Sequence, residues 1–346
     1  MRNPQPLPPD LHRDGGFTLG EALIAVTLTL MIVTAAIETL TRTITLTGTS
    51  RTMSETNHGL QAAMSLMVRD IMQTGQGIPM GGIPLPSGAG ALEVFRPGPT
   101  AALTFGAGTA TVSALVPGDT LGPTVNGNNT DIITVLYADR TLNLSQNPLT
   151  AIAADGSTMT VNASTPVTGV GGIQAGDLIL FSNAMGNALQ MVTTTPTSQV
   201  VQFATGDSMR LNQPTAPEGT LINLQDTPGV YPPTTATRVL MVSYYIDTVT
   251  DPSMPRLVRR VNMGARLAIA LGIENVQITY DLVDGVTNPT NVSTPGVANS
   301  ANQIRKANLT LSARSQDVNP QTNQFFRNQM TTEVGLRSLS FVDRYR

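Results

Sequence analysis

The chain has 346 residues, 40% of them hydrophobic and 12% charged, which is enough for one large domain or two small ones beside an anchor and too little charge for a disordered tail. A net charge of -3 gives no general attraction to nucleic acid, so no nucleic-acid partner is expected. With no Cys and only two His, His12 and His58, thiol-based metal or redox sites are excluded, as is a His triad or zinc centre in the later chain.

Residues 1–16, MRNPQPLPPDLHRDGG, hold four prolines and no apolar core, so they do not read as a secretory signal. Arg2 and Arg13 favour keeping this leader on the cytoplasmic side, although Arg42 and Arg51 beyond the span run against that rule. From Phe17 to Ile37 the residues are apolar or small, with one acid, Glu21. As a helix these residues span about 32 Å, which matches the ~30 Å hydrocarbon core of a bilayer. We expect a transmembrane segment over 17–40. An acid inside such a span costs roughly 3 kcal/mol, less near the interface, where Glu21 sits and can snorkel.

Gly16-Phe17-Thr18-Leu19-Gly20-Glu21 ahead of an apolar helix resembles the processing signal of type IV prepilins. The resemblance implies cleavage by a prepilin peptidase after Gly16 and N-methylation of the new terminus at Phe17. It also assigns Glu21 to assembly, where its carboxylate would meet the buried amine of Phe17. Gly20 departs from the family, which more often has a bulky aliphatic there.

The next stretch gives conflicting signals. Threonines at 39, 41, 43, 45, 47 and 49 alternate with other residues, a period of two that points to a strand, and Thr is a poor helix former. Yet no Pro or turn pair interrupts the chain. Leu60, Met64, Met67, Val68 and Ile71 then fall at amphipathic helical spacing. We expect one helix over 18–74, weak near Gly48 and Gly59, with 41–74 as an amphipathic spine. The alternative is two helices with an extended link. Gly75, Gly77, Pro79, Gly81, Gly82, Pro84 and Pro86 end the helix.

Residues 75–346 read as a β-rich globular head. Strands are expected over 92–95, 109–116, 131–138, 177–182, 188–194, 199–204, 238–247, 256–263, 276–283, 305–314 and 331–341. Turns are expected at Asn126-Gly127, Asp155-Gly156, Asp284-Gly285 and Pro117-Gly118, and a short helical turn over 265–272, capped by Gly272. The segments DIITVLYA, GDLILFS, ALQMVT, YYID, PRLVRR, LGIENVQITY and TEVGLR, in that order, are similar to the PilW-type minor pilins. The head lacks the disulfide many members carry.

Few residues suggest other chemistry. Asp247, Asp251, Asp281 and Asp284 are candidate clustered carboxylates, read as solvated turn residues. Asn126, Asn128 and Asp131 are spaced loosely like a calcium loop but lack a closing bidentate acid, and the turn reading is preferred. The glycines at 169–172 have no following Lys-Ser/Thr. Arg256, Arg259 and Arg260 are too few for a nucleic-acid groove. Asn-x-Ser/Thr sequences begin at Asn128, Asn143, Asn162, Asn291 and Asn308, as chance in a Thr- and Asn-rich chain explains.

The fold expected is thus α+β and type IV pilin-like: a long amino-terminal helix followed by a large antiparallel β-rich head. The resemblance implies a structural and assembly protein rather than an enzyme, without cofactor or metal. It implies a single pass of the inner membrane with the head in the periplasm, and a cell-surface pilus after assembly. Partners implied are the prepilin peptidase, other minor and major pilins, the inner-membrane assembly platform and membrane lipid. The alternatives are a J-type pseudopilin of type II secretion and a pilus-presented adhesin or DNA-uptake module.

Overall fold

The computed structural model describes residues 17–142, 144–319 and 322–339. The chain divides into two units, one up to Thr52 and one from Met53. A single helix, α1, runs Leu19–Met72 over 54 residues without interruption. It is long and apolar enough near its start to cross a membrane.

In the first unit the helix overrides the period-two threonine pattern. The reason lies in the hydroxyls. Thr39, Thr41, Thr43, Thr45, Thr47 and Thr49 each donate to the carbonyl four residues back, at 2.8–3.1 Å. Thr27, Thr29 and Thr34 do the same within the apolar stretch. A Thr side chain folded onto its own helix leaves no polar group seeking a strand partner. Glu38 and Arg42, one turn apart, pair at 2.6 Å. Neither Gly48 nor Gly59 breaks the helix.

In the second unit the rest of α1 has a buried face. Leu60, Ala63, Met64, Met67 and Ile71 are buried and Val68 packs beside them, as the spacing predicts. The helix ends at Met72, and Gly75 donates to the Leu136 carbonyl at 2.9 Å.

The head follows as antiparallel sheets. Its main strands are β1 (Ile133–Ala138), β2 (Leu178–Asn183), β3 (Gly186–Met191), β4 (Thr235–Asp247), β5 (Arg256–Val261) and β6 (Arg266–Leu271). These run β3-β2-β4-β5-β6. The 13-residue β4 is the hub: residues 235–239 pair with β2, 239–244 with β1 and 242–247 with β5. A second sheet orders β7 (Ile273–Leu282), β8 (Ile304–Asn319) and β9 (Gln324–Gly335).

Two cores result. The larger joins the α1 face to Met241, Val242, Tyr244, Leu257, Ile278 and Leu309. The smaller lies behind β2 and β3, where Ile179, Phe181, Ala188 and Val192 meet Met159, Val201, Phe203 and Leu221. Alternation explains the division: Leu178 and Leu180 enter the first core, Ile179 and Phe181 the second.

Three expectations are corrected. Residues 265–272 are not helical: β6 occupies them and pairs with β5 through a bulge. Gly272 is not a helix cap; it has φ of 72°, and a Cβ there would come 2.3 Å from the Arg314 carbonyl. The run 92–95 yields only a bridge from Phe95 to Thr104. The last strand lies earlier than 331–341, at Gln324–Gly335, and residues 340–346 are outside those described.

Candidate functional site

Phe17 precedes the helix and is 86% exposed. Thr18 sits just before Leu19 and makes a reciprocal pair with Glu21. The Thr18 N–H and hydroxyl donate to Glu21 Oε2 at 3.0 and 2.9 Å, and the Glu21 N–H donates to Thr18 Oγ1 at 3.3 Å. This is a capping box, which satisfies donors left orphaned at a helix start. An acid in the first turn also complements the helix dipole. The spacing Thr-x-x-Glu ahead of an apolar run is a legible signal for this role. It gives Glu21 a local function besides the two weighed from sequence. All the Thr18 contacts fall on Oε2, and Oε1 has no partner among the described residues. Gly16 and the leader, residues 1–16, lie outside those described.

The apolar residues that follow are all exposed: Leu23 at 61%, Leu30 at 66%, Met31 at 70% and Ile37 at 59%. Only the surface of this segment, not its interior, can engage a partner.

In the head the most concentrated polar cluster centres on Asp70, 1% exposed. Tyr244 Oη and Arg259 Nε both donate to Asp70 Oδ2 at 2.6 Å. Tyr244 and Arg259 face each other across the β4–β5 pair. Tyr137 Oη lies 3.5 Å from Asp70 Oδ1 and from the Arg259 guanidinium. Burial, and then the bond to Asp70, push the Tyr244 hydroxyl far above its ordinary value. The cluster therefore brings the Asp70 carboxyl together with the buried side of Arg259 and neutral phenols, and the largely exposed Arg69 reaches Asp70 Oδ1 at 3.6 Å. It ties residue 70 of the helix to the sheet. Sequence reading missed it, although signals existed. Asp70 follows Ala63 by seven residues and Met67 by three, so it shares their face. Arg259 alternates with Leu257 and Val261 at core-facing positions.

The remaining candidates separate into local roles. Asp247 pairs with Arg256 at 2.7 Å and Asp281 with Lys306 at 3.0 Å. Asp251 accepts from the Ser253 N–H and hydroxyl, and Asp284 from three successive backbone N–H groups. Asn126 and Gly127 form the two-residue turn of a hairpin, with φ of 50° and 81°. Asn126 Nδ2 donates to Glu274, and Asp131 is held by the Thr120 and Ile278 N–H groups. Arg260 donates to the Met263 and Gly264 carbonyls. His58 is exposed on α1, and His12 is outside the described residues. Among the described residues no group of three His, Cys, Asp or Glu is arranged to hold a metal ion. The sequence at Asn143 also falls outside the described residues.

A buried arginine, Arg96, completes the head. Its guanidinium donates to Thr134 Oγ1 and to the Val116 and Pro117 carbonyls at 2.8–2.9 Å. Desolvation lowers its pKa to about 10, still a cation at neutral pH. It acts as a bracket between the loop at 116–117 and β1. No family model, no curated protein and no solved structure matches the chain.

Proposed function

We propose that the chain is a minor subunit of a type IV pilus, made as a prepilin, cut after Gly16, methylated at Phe17 and taken into the filament at or near its tip. The head faces the periplasm before assembly. The observation that carries this reading is where the motif sits. Gly-Phe-Thr-Leu-x-Glu opens a 54-residue helix whose first half exposes an apolar surface and whose last turns belong to an antiparallel β-rich head.

The capping box fits this reading. Cleavage between 16 and 17 spares the Phe17–Thr18 peptide bond, so the Thr18 N–H survives processing. One oxygen of Glu21 then keeps the helix start closed. The other, Oε1, is open to the Phe17 amine of a neighbouring subunit, where low dielectric strengthens the pairing.

The test separates the two roles. Glu21→Gln keeps a capping box, since Gln serves at that position as Glu does, but removes the charge. Mass spectrometry of membrane fractions should find both Glu21→Gln and wild type beginning at N-methyl Phe17. Sheared pili should contain the wild type and lack Glu21→Gln. Normal incorporation of Glu21→Gln leaves the residue as a cap alone and removes the pairing mechanism. A membrane-bound chain that retains the leader beside an active peptidase sinks the whole reading.

A further inference from the structure

We infer that the head carries a binding site for a neutral sugar, in the hollow behind β3 that Gln190 lines. The site is independent of the filament reading, because it belongs to the head's smaller core. Gln190 lies on β3 between Ala188 and Val192, which both enter that core. By alternation this position belongs to an apolar residue. It holds a carboxamide instead, in a residue 4% exposed. Among the described residues, no side chain or backbone group hydrogen-bonds that carboxamide. Its polar atoms are not sealed in the core, so the carboxamide reaches the hollow.

The hollow explains why a polar group stands there. It has a volume of about 490 Å³, within the roughly 300–1,000 Å³ of small-molecule pockets. Phe203 and Ile222 supply apolar wall, and Thr205 and Thr215 bring hydroxyls to it. Asp155 is the one ionisable lining residue, and no Lys, Arg or His is present. Bonds from the Ser157 hydroxyl and N–H hold the Asp155 carboxyl below its ordinary range, so it stays an anion. That lining repels phosphates and carboxylates. It suits a ligand with apolar C–H faces and many hydroxyls around its edge. A carboxamide, donor and acceptor together, meets two adjacent sugar hydroxyls well.

The test uses the full chain in lipid nanodiscs, with D-glucose, D-galactose, N-acetyl-D-glucosamine and lactose as probes and triglycine as a control. Saturation-transfer NMR and calorimetry should find at least one sugar bound with a Kd of about 1 mM or tighter. Gln190→Leu should weaken that binding at least tenfold, about the loss of one hydrogen bond to a buried polar group. Binding of none of the four sugars overturns the inference. So does sugar binding that Gln190→Leu leaves intact, or binding of triglycine alone.

Discussion

The two halves of α1 share one backbone conformation and solve opposite problems. The first half has apolar side chains facing outward and folds its polar groups inward, onto its own carbonyls. Thr29, Thr34 and Thr41 bond at 2.7–2.9 Å to the residue four back. The second half does the reverse. It hides Leu60, Met64, Met67 and Ile71 against the sheet and sends a charge, Asp70, into that interface. Helix propensity therefore decides neither half. In one, hydroxyl donors are paired within the helix itself, as a membrane crossing would require. In the other, packing supplies the stability.

Substitutions that trade the two environments test this contrast. The largest effect is expected for Met67→Asp, which places an unpaired charge in a fully buried position. It should abolish the cooperative thermal transition of the head, a loss of about 4 kcal/mol or more. The same change at Ile44, 63% exposed, should leave the head's transition within about 0.5 kcal/mol. Circular dichroism of the two variants side by side decides. Equal melting of both would mean that the two halves are not different environments.

The next largest effect belongs to the Asp70 cluster. Asp70→Ala leaves Arg259 and two phenols without their carboxylate and should cost about 3–5 kcal/mol in urea denaturation. Asp70→Leu combined with Arg259→Met should recover most of this, because both buried charges go together. A double variant no better than the single one would make the pair essential rather than merely interdependent.

The smallest effect is a pH dependence. Burial pushes the Asp247 carboxyl up, but bonds from Thr250, Arg256 and the Val249 N–H outweigh it and hold the group below the usual carboxylate range. Its pKa is depressed on folding, so its contribution is complete above the unfolded value of about 3.9 and fades as pH falls through the folded one. The head's melting temperature should be level from about pH 7 to pH 5 and fall below about pH 4. Asp247→Asn should lower stability at neutral pH by about 1.5 kcal/mol and shrink the acid loss. The Thr-rich half, held by hydroxyls that do not titrate in this range, should keep its helical signal throughout.

Much of this was legible because it rests on periodicity. The spacing of Leu60, Met64, Met67 and Ile71 named the buried face, and the helix expected over 18–74 is found at Leu19–Met72. Most strands sit within a few residues of expectation. One error has a local cause. At 265–272 the sequence RLAIAL has no clean alternation, since β6 pairs on one edge only and its side chains are exposed except near Ile269 and Ala270. The threonine run gave a conflicting signal without overturning the helix expected there, because a hydroxyl's choice between strand and helix depends on whether its own i−4 carbonyl is the best acceptor available. Thr18 and Glu21 were readable as a capping box by their spacing alone. Gln190 was not: only the placement of β3 between two cores turns an ordinary glutamine into an oddity.

The Asp70 cluster also fixes an order of events in the cell. Its partners lie 67, 174 and 189 residues further along the chain, at Tyr137, Tyr244 and Arg259. At about 5–20 residues per second, synthesis of Arg259 trails that of Asp70 by roughly 10–40 s. The strand residues that share a core with Leu60, Met67 and Ile71 are made later, some after Arg259, so this helical face emerges from the ribosome before its sheets exist. Closing such distant contacts is slow as well as late. Newly made chains therefore pass through a stage, which finished ones do not, in which this apolar face has no sheet to pack against.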